Sequence, residues 1–328
     1  MSTLRTEAVP DEMKAGARHL RELAELLVEP FAVDAPHVQR GSPAEAELAD
    51  RRLDGSWGRP TFEVVHQAAF HVNVAADHLY AMSAVILARE TVLAVSSLSR
   101  TVLESLGVLN WLYEPGIDVR ERVRRRFNIR LLTLGEQRNL VRGFITTDDP
   151  ENYAATASLE QSARSILAIK AEAARFGFDY QFRKSRIPGL QHARFLGKRL
   201  PSDQKLIEAL LVASEVTEPG IGLTMHRITS ATAHGQSHGS RFFMLEAKES
   251  FDPGIGLVQM GLSLNHFSAL LGAVFLGLQN VWIRLRDYYG WPDEPWLTRM
   301  RAANSTYNEW LDVERRANAL AGAREGEQ

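Results

Sequence analysis

Apolar residues return every three to four positions along nearly the whole chain, and no stretch alternates apolar with polar for long enough to make a sheet strand. The class this predicts is all-α, a helical bundle of about eight to ten helices in one large domain with a helical N-terminal arm. Over 11–31, leucines at 20, 23, 26 and 27 make one amphipathic face, and the Pro- and Gly-punctuated stretch to residue 60 reads as connector. Long helical patterns follow over 61–90, on to Tyr113, and over 117–143; TTDDPEN then breaks the chain before a helix over 151–176. Between Gly177 and Pro201 the pattern is weak, with a short helix expected near His192. Helices over 203–215, 219–238 and 253–289 come next. Two of them open on nearly the same words, EPGIGL at 218 and DPGIGL at 252, and an acid with Pro-Gly is a plausible helix start. WPDEPW leads into a last helix over 297–320, and AGAREGEQ should fray. The expected division is an N-terminal helix and connector (1–60), a bundle (61–323) and a tail (324–328).

Composition narrows what such a bundle can do. With 38 basic and 40 acidic side chains in 328 residues, the formal charge is -2, so nothing global attracts phosphate polymers or anionic membranes. Any nucleic-acid contact has to be local. Cysteine is absent, which excludes disulfides, thiol catalysis and Cys-ligated metal. The opening MSTLRTEAVPDEMK lacks the basic-then-apolar pattern of a signal peptide, and the expected location is cytoplasmic. A membrane span is conceivable only in 254–285, where the longest run without a strongly polar residue, Phe267–Leu278, is shorter than the roughly 18 residues a bilayer needs. That segment reads as a buried helix, and no membrane is expected among the partners.

The densest candidate chemistry lies in MHRITSATAHGQSHGSR, 225–241, which gathers His226, Arg227, His234, His238 and Arg241 between Gly, Ser and Thr. On one continuous helix, Arg227, His234, His238 and Arg241 fall within about 60° of each other. Alternatively the helix ends at His234-Gly235, with glycine in a left-handed cap. Both geometries leave Arg227 and His234 two turns apart on one face. Four uses compete: histidines bonded near a helix end; two imidazoles at i, i+4 on a metal, with no Glu of an H-E-x-x-H motif and no third ligand nearby; an anion site combining Arg forks with imidazole; and a nucleotide-directed site.

That last use comes from resemblance. Arg227, six residues and His234 resemble the R-x(4-6)-H motif of the HEPN superfamily (higher eukaryote and prokaryote nucleotide-binding). The Arg-x-x-x-Glu helix in SRTVLESLGVLNWLYEP (99–115), followed downstream by SATAHG (230–235), also resembles a widespread family of uncharacterised bacterial helical proteins. The HEPN resemblance implies metal-independent RNA cleavage or binding of RNA or a nucleotide, with His234 in acid-base work and Arg227 on the phosphate. It also implies a homodimer paired through the motif helices. No cofactor and no metal are expected.

Three further stretches carry polar groups in suggestive patterns. Arg89, Ser96, Arg100, Glu104 and Trp111 form a polar stripe on an apolar helix, either an internal ion pair or a second wall of the site, in which Glu104 orients His234 or His238 and Arg100 and Arg241 add to anion binding. Glu63-x-x-His66 is half of a ferritin-like di-iron pattern whose second half the chain lacks; His71, Asp77 and His78 share its arc, as on any amphipathic helix. The arginine run VRERVRRRFNIR (119–130) suits either a phosphate track or a solvated, internally paired face. Walker loops, G-x-G-x-x-G, G-x-S-x-G and zinc-finger spacings are missing.

Overall fold

The computed structural model describes residues 11–32, 37–52, 59–88, 93–143, 152–184, 193–212, 220–236, 243–249, 256–260 and 264–325. Among them are ten α-helices: α1 (Asp11–Val28), α2 (Pro43–Ala49), α3 (Pro60–Ala88), α4 (Leu93–Leu112), α5 (Val119–Arg142), α6 (Asn152–Arg175), α7 (Asp203–Val212), α8 (Ile221–Ala233), α9 (Leu264–Tyr289) and α10 (Trp296–Glu325). The all-α class predicted from periodicity is what the chain adopts. Four short strands accompany the helices as two antiparallel hairpins, β1 (Tyr180–Arg183) with β2 (Ala193–Leu196) and β3 (Met244–Glu249) with β4 (Gly256–Met260).

Both hairpins fall where helix was expected or the pattern was weak. β4 lies inside the stretch read as the start of a helix at 253, and that helix begins only at Leu264. DPGIGL therefore leads into a strand, while its near twin EPGIGL leads into α8. Around 177–201 the described residues form a hairpin where the pattern was weak, and the short helix expected near His192 falls outside the described residues. The connector between α1 and α3 contains the extra helix α2, and α10 continues through Ala321–Glu325, where fraying was expected.

The chain forms two compact units. One comprises Met1–Pro43, Ala69–Trp111 and Asp203–Gln328; the other comprises Ala44–Ala68 and Leu112–Ser202. In the first, the apolar face of α1 buries Leu20, Leu23 and Leu27 completely, and α1 packs on α9 and α10. Close approach there depends on Gly16, where an added Cβ would sit 2.7 Å from the Trp310 ring, and on Gly272, 2.6 Å from the Tyr307 hydroxyl. A buried polar link ties three helices of this unit: Asn280 on α9 donates to Asn110 Oδ1 on α4 (3.0 Å) and to the Leu210 carbonyl on α7 (3.3 Å). His266–Tyr289 is, among the described residues, the one helix long and apolar enough to cross a membrane, and its most apolar stretch is mostly buried inside the protein. α7 and α8 meet at Gly222, where a Cβ would run into the Glu208 backbone, and the Glu208 carboxylate accepts from the Leu223 amide (2.8 Å), satisfying a first-turn N–H of α8.

The second unit is organised by the arginine run on α5. Asp118 caps that helix by accepting from the Glu121 amide at 2.8 Å. Arg122, Arg124 and Arg125 are each less than a tenth exposed, and all are paired within the unit. Arg122 meets Glu47 (3.0 Å) and the Leu112 carbonyl, Arg124 and Arg125 share Glu121, Arg125 also reaches Glu114, and Arg126 holds Glu63. Burial pushes the Glu121 carboxyl up, but hydrogen bonds and charge from Arg124 and Arg125 outweigh it and bring the group down to about 2. So the internally paired alternative holds for Arg122, Arg124, Arg125 and Arg126, with Arg122, Arg124 and Arg125 buried instead of solvated, while Arg120 stays exposed. Beyond these pairs, Arg124 and Asn128 fasten β2 to α5 by donating to the Leu196 and Lys198 carbonyls, and Asn128 Oδ1 accepts from the Leu196 amide (2.6 Å).

Candidate functional site

Local sequence determines how α8 ends. Gly235 takes φ +64°, its amide donates to Thr232 O (3.1 Å), and the Gln236 amide donates to Ala231 O (2.8 Å). This pair of bonds is the Schellman arrangement, with His234 as the C-cap. Of the two geometries open in the sequence, the helix end is the one adopted. The left-handed turn at Gly235 ends the helical phase of α8 just after His234. His238 and Arg241, like Arg89, lie outside the described residues.

α4 supplies the other wall. Arg100 Nε donates to Glu104 Oε1 at 2.6 Å, one turn on along the same helix. The side chains are 20% and 27% exposed, shallow enough to reach solvent and deep enough for the pair to hold its geometry. From this anchor Arg100 Nη1 donates to Ser230 Oγ (3.2 Å) and stands 3.3 Å from His234 Nε2. A guanidinium has donors only, so in this contact Nε2 is the accepting nitrogen and the proton of a neutral ring is on Nδ1.

Four residues thus come together: Glu104, Arg100, Ser230 and the exposed His234. Arg227 is exposed two turns back on α8, and no hydrogen bond or ion pair joins it to His234 among the described residues. Ser230 was legible only as the Ser of S-x-x-x-H-G; its place one turn before His234 puts both on the same side of α8, and only the packing against α4 reveals their shared partner. Chemically, the cluster offers a fixed guanidinium, a hydroxyl and an accessible imidazole, a set suited to an oxyanion and to proton transfer.

The other motifs resolve elsewhere. Glu63 is the partner of Arg126 and His66 is exposed. No group of three or more His, Asp or Glu able to hold a metal occurs among the described residues. Burial lowers the His71 imidazole to about 4.

Comparison of the chain with protein-family models, with curated proteins and with solved structures finds no match.

Proposed function

We propose that the Arg100–Ser230–His234 cluster binds a phosphate of RNA or a nucleotide, in the manner of HEPN-like helical proteins, without metal. The observation that carries this reading is the placement of the Arg100 guanidinium, anchored by Glu104, against the imidazole edge of His234. An anion entering there takes charge-assisted bonds from Arg100 and a hydrogen bond from Ser230, and Arg227 lies along the same face of α8 to take a neighbouring phosphate. With Nε2 as its lone-pair nitrogen, His234 is in the form that takes the proton of an RNA 2'-hydroxyl as its oxygen bonds phosphorus and the P–O5' bond breaks, giving a 2',3'-cyclic phosphate and a 5'-alkoxide that is protonated from solvent, while the guanidinium faces the charge on the non-bridging oxygens. Glu104 is a positioning residue in this scheme.

A second reading, a non-catalytic site for a small anion, is favoured by the fact that His234 Nε2 is already engaged by Arg100. One experiment separates the two. Labelled RNA is incubated in EDTA with wild type, His234→Ala, Arg100→Met and Arg227→Ala, and binding and cleavage are both read. Losing Arg100 should weaken binding about 10- to 150-fold, the equivalent of one charge-assisted bond at ~1.5–3 kcal/mol. Cleavage by wild type that His234→Ala abolishes, with binding kept, supports the catalytic form. Binding of RNA or of a mononucleotide without cleavage supports the second reading. Neither binding nor cleavage by wild type overturns both.

A further inference from the structure

The free cluster holds an imidazole in a state that a bound anion reverses. Arg100 Nη1 donates to Ser230 Oγ (3.2 Å) and stands 3.3 Å from His234 Nε2, in a contact open to solvent, so without a ligand Nε2 is an acceptor. A proton on that nitrogen would set two cations 3.3 Å apart with no anion between them, a repulsive contact. An oxyanion lying against Arg100 turns the balance round. It takes the guanidinium hydrogens for itself, and the Nε2 lone pair is left facing negative charge, acceptor against acceptor. A proton arriving on Nε2 converts that repulsion into a further charge-assisted bond beside those from Arg100 and Ser230.

We propose that the cluster takes the terminal phosphate of a phosphomonoester, and that binding brings a proton from solvent onto His234. This rests on the phosphate reading above, in its binding form. The donors select the ligand: Ser230 Oγ and His234 Nε2 are gathered around Arg100 Nη1, and a monoester offers a terminal oxygen to each of these groups. A diester has one non-bridging oxygen fewer, so one donor goes without. Charge agrees, since a phosphomonoester carries about -1.5 to -2 at neutral pH and meets both Arg100 and a protonated His234. Among the described residues, the charged groups facing His234 are Arg100 and Glu104 on α4 and, two turns back on α8, Arg227. Glu104 is held by Arg100 Nε, so the ligand and not this carboxylate is the counter-ion of the imidazolium. On α7, Glu208 is bound to the Leu223 amide at the far end of α8.

The test is calorimetric titration of the full chain in EDTA with one short RNA ending in either a 5'-phosphate or a 5'-hydroxyl, in two buffers of different ionisation enthalpy. The 5'-phosphate form should bind about tenfold tighter or more, the equivalent of one further charge-assisted bond. The difference between buffers should report uptake of close to one proton, and affinity should fall about tenfold per unit of pH between about pH 7 and 8.5, because only the complex holds that proton. His234→Gln cannot titrate, so it should abolish the uptake and flatten the profile. A nitrogen-15 spectrum of the wild-type imidazoles should show His234 Nε2 gaining its proton when inorganic phosphate is added, a reading that needs no variant to fold. Equal binding of the two RNA ends, binding without proton uptake, or uptake that survives in folded His234→Gln overturns the proposal and leaves the phosphate reading standing. Binding of neither RNA removes the phosphate reading and the proposal with it.

Discussion

Replacing Asn128 by Leu tests whether a single amide holds β2 to α5. The side chain is 2% exposed and makes three bonds, two donated to the Leu196 and Lys198 carbonyls (3.1 and 2.7 Å) and one accepted from the Leu196 amide (2.6 Å). Leucine keeps the branching and the number of heavy atoms and removes all three. Both carbonyls retain a donor in Arg124, so losing the Asn128 amide costs each only about 0.5 kcal/mol. The Leu196 N–H faces a hydrocarbon instead, and an orphaned buried donor costs about 1–3 kcal/mol. The sum is a loss of about 2–4 kcal/mol. Urea unfolding monitored by circular dichroism gives the global loss, read as a lower midpoint at constant slope. Amide hydrogen exchange localises it, because the Leu196 N–H should pass from protected to fast-exchanging while amides in the middle of α9 stay slow. A loss below about 0.5 kcal/mol together with a still protected Leu196 amide would refute the reasoning.

Stability should also fall in mild acid through His71. Burial holds its folded value near 4 against an ordinary 6.5, so the unfolded chain takes the proton first. The contribution is complete above about pH 6.5 and is lost between there and about pH 4, a total of roughly 3 kcal/mol that His71→Phe should flatten in a series of urea melts across that window. Arg122→Met should cost about 3–5 kcal/mol, since it takes a buried guanidinium away from both Glu47 and the Leu112 carbonyl. Adding Glu47→Gln should recover part of that loss, and a double variant as unstable as the sum of the singles would show the pair is not coupled.

Much of the helical content was legible because it rests on periodicity, a property each segment carries by itself. α5, α6 and the face of α1 fall within a few residues of expectation for that reason. The end of α8 was legible as one of two alternatives, and the choice of a left-handed glycine needs no partner beyond its own last turn. The α5 arginines show the limit. On a helical projection they spread around the circumference and look solvated, yet four of them are drawn onto Glu47, Glu63, Glu114 and Glu121, two of which lie more than fifty residues away in sequence.

The pair EPGIGL and DPGIGL marks where local information stops. Nearly identical words precede α8 in one place and β4 in the other. α8 receives the Glu208 carboxylate on a first-turn amide and a close seat for Gly222 against α7. β4 receives instead a ladder of backbone bonds from β3. Propensity differences between such segments amount to tenths of a kcal/mol per residue, less than the partner contributes, so the partner decides. The candidate site divides the same way. Sequence determined that Arg100 and Glu104 lie one turn apart on α4, and that Arg227, Ser230 and His234 share a side of α8, because helical phase is local. Only the packing of α4 against α8 could bring Arg100 to Ser230 and His234, since those contacts span 130 and 134 residues and no short-range rule encodes them.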